Sequence, residues 1–129
     1  MIFMADSLDR LFAAVSDLKK GDPTRSRTAR LMRSGRSKIA KKLGEEAVEV
    51  VIDAIHGDRE AVVRESADLL YNLVVLWVSI GIRPEDVWAE MRRREEMFGI
   101  AEKLPKSEAA MPARRKVVAL EMRRAHKRR

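Results

Sequence analysis

Between Ser37 and Ile80 the chain reads as two long helices that are apolar almost all the way round, yet each carries one narrow stripe of carboxylates. Few folds accommodate such a pair. On a wheel of about 100° per residue, Lys42, Glu45, Glu46, Glu49 and Asp53 fall within an arc of about 100°. Leu43, Ala47, Val48, Val50, Val51, Ile52, Ala54 and Ile55 take up the rest of that circumference. The second segment, from an Asp58 N-cap to about Ile80, repeats the arrangement, with Glu65, Asp68 and Asn72 within about 60° of one another. Asn72 is the one polar residue in its Leu69 to Val78 run. Gly57 and Gly81 follow the two helices as breaks. A surface helix has one apolar stripe and a broad polar face, so both of these are expected in an interior.

A buried carboxylate left alone is costly, so it must be protonated, paired with Lys or Arg, or bound to a cation. Lys38, Lys41 and Lys42 stand one turn away and offer the pairing solution. The i, i+3 spacings of Glu46 with Glu49 and of Glu65 with Asp68 point the members of each pair in nearly the same direction. Facing each other, the four would make an all-oxygen cage. With no His or Cys at hand, that donor set suits Mg²⁺ or Mn²⁺ and not zinc.

The remainder supplies shorter helices and no strand pattern. The first is expected from a Ser7 N-cap through Leu8, Leu11, Phe12, Val15 and Leu18 to a stop at Gly21-Asp22-Pro23. The basic segment SRTARLMRSG makes one or two turns, and a last helix starts at Pro84, with Glu85 and Asp86 near its positive end, and fades by Gly99. The expectation is one all-α domain, a bundle of about five helices.

Charge locates its end. The net charge is +7, but residues 1–99 hold 17 basic and 17 acidic residues, whereas residues 100–129 hold ten basic and three acidic. The neutral body is therefore read as the domain, and residues 100–129 as a basic C-terminal extension that is helical or disordered. It has no interleaved aromatics for base stacking, so nucleic-acid binding is not expected of it. The chain has no Cys, which excludes disulfides and thiolate chemistry and fits a reducing compartment. The N-terminus lacks a signal-peptide pattern and the Leu69 to Ile80 run is too short to span a bilayer, so the expectation is a cytoplasmic protein with no membrane partner.

The run KIAKKLGEEAVEVVIDAIHGD…ESADLLYNLVVLW, with GDPTRSRTARL before it and GIRPEDVWAEMRRR after it, resembles the phosphoribosyl-ATP pyrophosphohydrolase family over residues 8–95. The matching motifs are K-x-x-x-K-x-G-E-E-x-x-E at Lys38 to Glu49, E-x-x-D at Glu65 to Asp68 and D-L-L-Y at Asp68 to Tyr71. The wider superfamily of all-α nucleotide pyrophosphohydrolases shares only the E-E-x-x-E and E-x-x-D pair.

The resemblance implies Mg²⁺-dependent cleavage of phosphoribosyl-ATP to phosphoribosyl-AMP and pyrophosphate, the second step of histidine biosynthesis, with Mn²⁺ as a substitute ion. It also implies a bundle completed by a second subunit, a homodimer or higher homo-oligomer. By motif position Glu46, Glu49, Glu65 and Asp68 become metal ligands, and Glu45 becomes a further ligand or the general base to water. Lys38 and Lys42 match family lysines that would neutralise phosphate oxygens, or would pair with Glu45 or Glu49 in the empty enzyme. Arg30 is a further phosphate contact. Two positions depart from the family pattern: Arg27 stands where an aromatic residue is usual, and Asn72 where His is common. His56 is read as a partner of the helix dipole, and Tyr71, Trp77 and Trp88 as packing residues. The alternatives are a pyrophosphohydrolase of other nucleoside triphosphates, or a non-catalytic helical protein that binds through its basic tail.

Overall fold

The computed structural model describes residues 2–98, with side chains from 7 to 97. The basic extension at 100–129 lies outside the described residues. Five helices follow in order: α1 Ile2–Leu18, α2 Arg27–Arg33, α3 Arg36–Ile55, α4 Arg59–Ile80 and α5 Pro84–Phe98, with no strand among the described residues. None of these helices is by itself long and apolar enough to cross a membrane. The chain divides into two compact units after Trp88, and everything below on the core and the site concerns the first. In the second, Glu90 holds Arg93 at 2.8 Å and Arg94 at 3.0 Å along the exposed side of α5.

Local chemistry fixes the boundaries. Asp58 caps α4 by accepting from Ala61 N at 3.0 Å, and Ser26 caps α2 by accepting from Ala29 N at 3.1 Å. Gly57 (φ 71°) and Gly81 (φ 86°) take the left-handed conformation that ends α3 and α4, and the Gly81 and Ile82 amides return to Trp77 O at 2.9 and 2.8 Å. Ser7 is the exception. It lies inside α1, and Arg10 Nη2 reaches its Oγ at 3.2 Å. The helix starts before it because the preceding residues contain no Gly or Pro to break the pattern.

The connection from α3 to α4 is so short that the two must lie antiparallel side by side, and among the described helices they form the most extensively packed pair. The core gathers Val15 of α1, Leu31 of α2, Ile39 of α3 and Val74, Val75, Trp77 and Val78 of α4, with Leu8, Leu11 and Phe12 packed against it. Trp88 meets Trp77 edge to face, with centroids 6.4 Å apart at 87°.

One expectation is met only on one side. Ile39 is the buried residue of α3, while Val48 and Val51 are each 56% exposed, Ile52 46% and Ile55 78%. These four sit at i, i+3, i+4 and i+7, a single stripe on the face opposite Ile39, Glu46 and Val50. Val63 and Leu70 of α4 are exposed as well. The apolar circumference of α3 is thus half used within one chain.

Candidate functional site

The α3–α4 hairpin brings the two acidic stripes together, and its register does so layer by layer. Glu49 and Glu65 each lie eight residues from Gly57, Glu46 and Asp68 eleven, and Lys42 and Asn72 fifteen. Two antiparallel helices rising about 1.5 Å per residue therefore hold each pair at about the same height. Glu46, Glu49 and Glu65 each offer a carboxylate oxygen, all within 4.8 Å of one another. Asp68 is exposed at the edge of this group, close enough for its charge to act on Glu46.

The electrostatics show how crowded the group is. Proximity to the Glu49 and Glu46 carboxylates, with which a protonated Glu65 shares its hydrogen, pushes Glu65 up to about 7. Burial raises Glu46 above its usual range, and the hydrogen bond and charge of Glu49 add to the effect. Glu46 Oε2 and Glu65 Oε2 are buried with no hydrogen-bond partner, as is Asn72 Oδ1, and no other buried side-chain oxygen or nitrogen among the described residues lacks one. Such atoms call for an explanation. A hard divalent cation fits on two counts: the donors are all oxygens, and the orphaned oxygens of Glu46 and Glu65 belong to residues of the group itself. The cluster can therefore hold a metal ion.

Beside this group lies a cavity of about 390 Å³ lined by Arg27, Thr28, Lys42, Glu46, Asp68, Tyr71 and Asn72. A second, of about 210 Å³, shares Arg27, Lys42 and Tyr71 with it and adds Arg30, Leu31, Ser34 and Lys38. The first is acidic on one wall and the second is basic. Helix α2 supplies the arginines, and its placement is set by three contacts. Thr28 Oγ1 hydrogen-bonds Tyr71 OH and ties α2 to α4. Arg30 Nη1 donates to Pro23 O at 2.9 Å. The turn before α2 is closed by Thr24 N and Oγ1, which donate to Asp22 Oδ1 at 2.9 and 2.8 Å and hold that carboxyl below its usual range.

Of the residues singled out from sequence, Glu46, Asp68, Lys38, Lys42 and Arg30 line these two cavities, and Glu49 and Glu65 complete the three-oxygen group. Glu45 stands apart: it is exposed and faces Lys41 at 4.0 Å. Neither Lys38 nor Lys42 forms a salt bridge among the described residues, so the pairing expected with Glu45 or Glu49 goes to Lys41 alone. Tyr71 packs against the core, as read, and has a second role that was not read from sequence: it lines both cavities and holds α2 through its hydroxyl. Its position one turn from Asp68, on the edge of the acidic stripe, was the available signal. Trp77 and Trp88 do pack, as read.

Residues 8–95 match the family described as phosphoribosyl-ATP pyrophosphohydrolase. A protein of Rhodopseudomonas palustris named phosphoribosyl-ATP pyrophosphatase 2 is 64% identical, covering 98% of this chain and 100% of its own length. A protein of the same name from Bradyrhizobium diazoefficiens is 64% identical over 97% of this chain and 99% of its own. Both similarities run on through the basic extension. A phosphoribosyl-ATP pyrophosphatase of Gluconobacter oxydans is 54% identical over 74% of this chain and 72% of its own. With a match that takes in both acidic motifs and the basic segment of α2, the chain belongs to the phosphoribosyl-ATP pyrophosphohydrolase family.

Proposed function

We propose that the chain hydrolyses phosphoribosyl-ATP between its α and β phosphates, giving phosphoribosyl-AMP and pyrophosphate, with Mg²⁺ in the carboxylate group. The observation that carries this reading is the join between the two cavities. An acidic wall able to hold a cation meets a wall of Arg27, Arg30, Lys38 and Lys42, through shared residues. A polyphosphate needs both: cations along its anionic length and a charged centre at the anhydride to be broken.

Glu46, Glu49, Glu65 and Asp68 would hold the ion, which when bound neutralises phosphate oxygens and activates water. The remaining work belongs to side chains. Lys42, with no carboxylate partner and lining both cavities, meets phosphate oxygens at the boundary. Lys38 and Arg30 do so in the basic cavity. Arg30 is preorganised by its bond to Pro23 O, so little rotamer freedom is lost on binding. Glu45 shares the acidic stripe, and its exposed pair with Lys41 contributes little. By its motif position we give its carboxylate the role of accepting a proton from the attacking water.

The exposed stripe of Val48, Val51, Ile52 and Ile55 supports a homodimer or higher homo-oligomer. Gly44 lies on the same face, and a Cβ there would meet nothing within 4 Å. A mid-helix glycine costs about 1 kcal/mol relative to Ala. Close approach by another helix accounts for it where this chain's own packing does not.

Incubation of the full chain with phosphoribosyl-ATP and Mg²⁺ should release pyrophosphate, and the gene should rescue a histidine auxotroph lacking this step. Orthophosphate as product, or no Mg²⁺-dependent release, would refute the reading. A second reading, hydrolysis of other nucleoside triphosphates, is favoured by the two departures from the family pattern, Arg27 and Asn72, which both line the acidic cavity. Faster pyrophosphate release from such a nucleotide would establish it.

A further inference from the structure

We infer that Asn72 is part of the cation site: its Oδ1 is a neutral oxygen ligand to the divalent ion, directly or through one water. The inference rests on the functional reading above and deepens it.

Asn72 is 1% exposed in the middle of α4, between Tyr71 and Leu73, which both pack against the core. Its orientation is fixed by its own hydrogen bond. Nδ2 donates to Asp68 O at 2.8 Å, and because a carbonyl can only accept, the amide cannot be turned round without losing that bond. Oδ1 is thereby left without a partner, and the residue lines the same cavity as Glu46 and Asp68. A buried amide oxygen in that state is unfavourable, and a Leu of similar size would pack on this helix without the cost.

The chemistry of the cavity narrows what the oxygen is for. Ionised carboxylates on its acidic wall are acceptors, and so are the oxygens of a polyphosphate. Neither can satisfy another acceptor. Lys42, Arg27 and the hydroxyls of Thr28 and Tyr71 are donors on the same cavity, but none bonds Oδ1; the anionic substrate competes for the two cations, and the two hydroxyls bond each other. A cation, or the water in its shell, meets the need of Oδ1. Asn72 follows Asp68 by one turn on the same stripe, so its oxygen extends the acidic wall without adding a charge that would repel phosphate. Hard cations accept amide oxygens alongside carboxylates.

The test uses the full chain with Mn²⁺ alone, free ion being read from its EPR signal at pH 8 without nucleotide. Asn72→Leu removes the oxygen and should weaken Mn²⁺ binding by about ten- to a hundredfold. Asn72→Asp keeps an oxygen in place, adds charge, and should bind Mn²⁺ at least as tightly as the wild type. Wild-type affinity in a folded Asn72→Leu protein would overturn the inference. Should that variant fail to fold, weaker binding by Asn72→Asp would overturn it instead. A raised KM for nucleotide with unchanged Mn²⁺ affinity would assign the oxygen to a donor on the nucleotide, and also overturns it. Wild-type protein that binds no Mn²⁺ would bring down the functional reading itself, an outcome distinct from the others.

Discussion

Because Glu65 is pushed up to about 7 by Glu49 and Glu46 in the metal-free protein, cation binding should be a proton-coupled event in the neutral range. With one competing proton at that pKa, about ten in eleven sites are protonated at pH 6 and about one in eleven at pH 8. Mg²⁺ affinity should therefore fall about tenfold from pH 8 to pH 6, with about half a proton released per ion at pH 7. Calorimetry in buffers of different ionisation enthalpy counts that proton directly. The same shift has a stability consequence with a definite sign. The folded-state value lies above the usual 4.5, so the contribution is complete below pH 4.5 and is lost as pH rises through about 7. In EDTA the melting temperature should carry a downward component across that window, removed in Glu65→Gln and offset in the wild type by Mg²⁺. A flat affinity between pH 6 and 8 with no proton release would refute the crowded-carboxylate account.

Lys42→Ala should raise KM for the nucleotide by about tenfold or more while leaving Mn²⁺ affinity within about twofold, since the lysine meets phosphate and not the ion. Steady-state kinetics and EPR titration separate the two. Glu45→Gln should lower kcat by about 10²-fold with Mn²⁺ affinity unchanged; a loss under threefold would remove it as the base. Val51→Asp or Gly44→Leu should reduce the oligomer seen by light scattering, with helical content by circular dichroism retained. An unchanged mass would place the subunit contact elsewhere.

Much of this was legible in the sequence because it is local. Asp58 and Ser26 announce their caps, Gly57 and Gly81 their stops, and the i, i+3 pairs their stripes. Even the pairing of the stripes could be counted from the hairpin, since Glu49 with Glu65 and Glu46 with Asp68 are equidistant from Gly57. What could not be read from patterns was how partners are shared out. Helix phase sets Lys41 apart from Lys38 and Lys42, but which lysine meets Glu45 was not readable: the pair forms with Lys41, while Lys38 and Lys42 line the cavities. The second role of Tyr71 was missed because it depends on Thr28, 43 residues earlier in the chain. Ser7 misled because a good capping residue caps only where a helix begins.

Anomalous diffraction from crystals soaked in Mn²⁺ tests the central claim most directly. The account predicts a peak bonded to oxygens of Glu46, Glu49 and Glu65. Active protein with Mn²⁺ bound elsewhere, and those three carboxylates bridged only by protons or water, would contradict it.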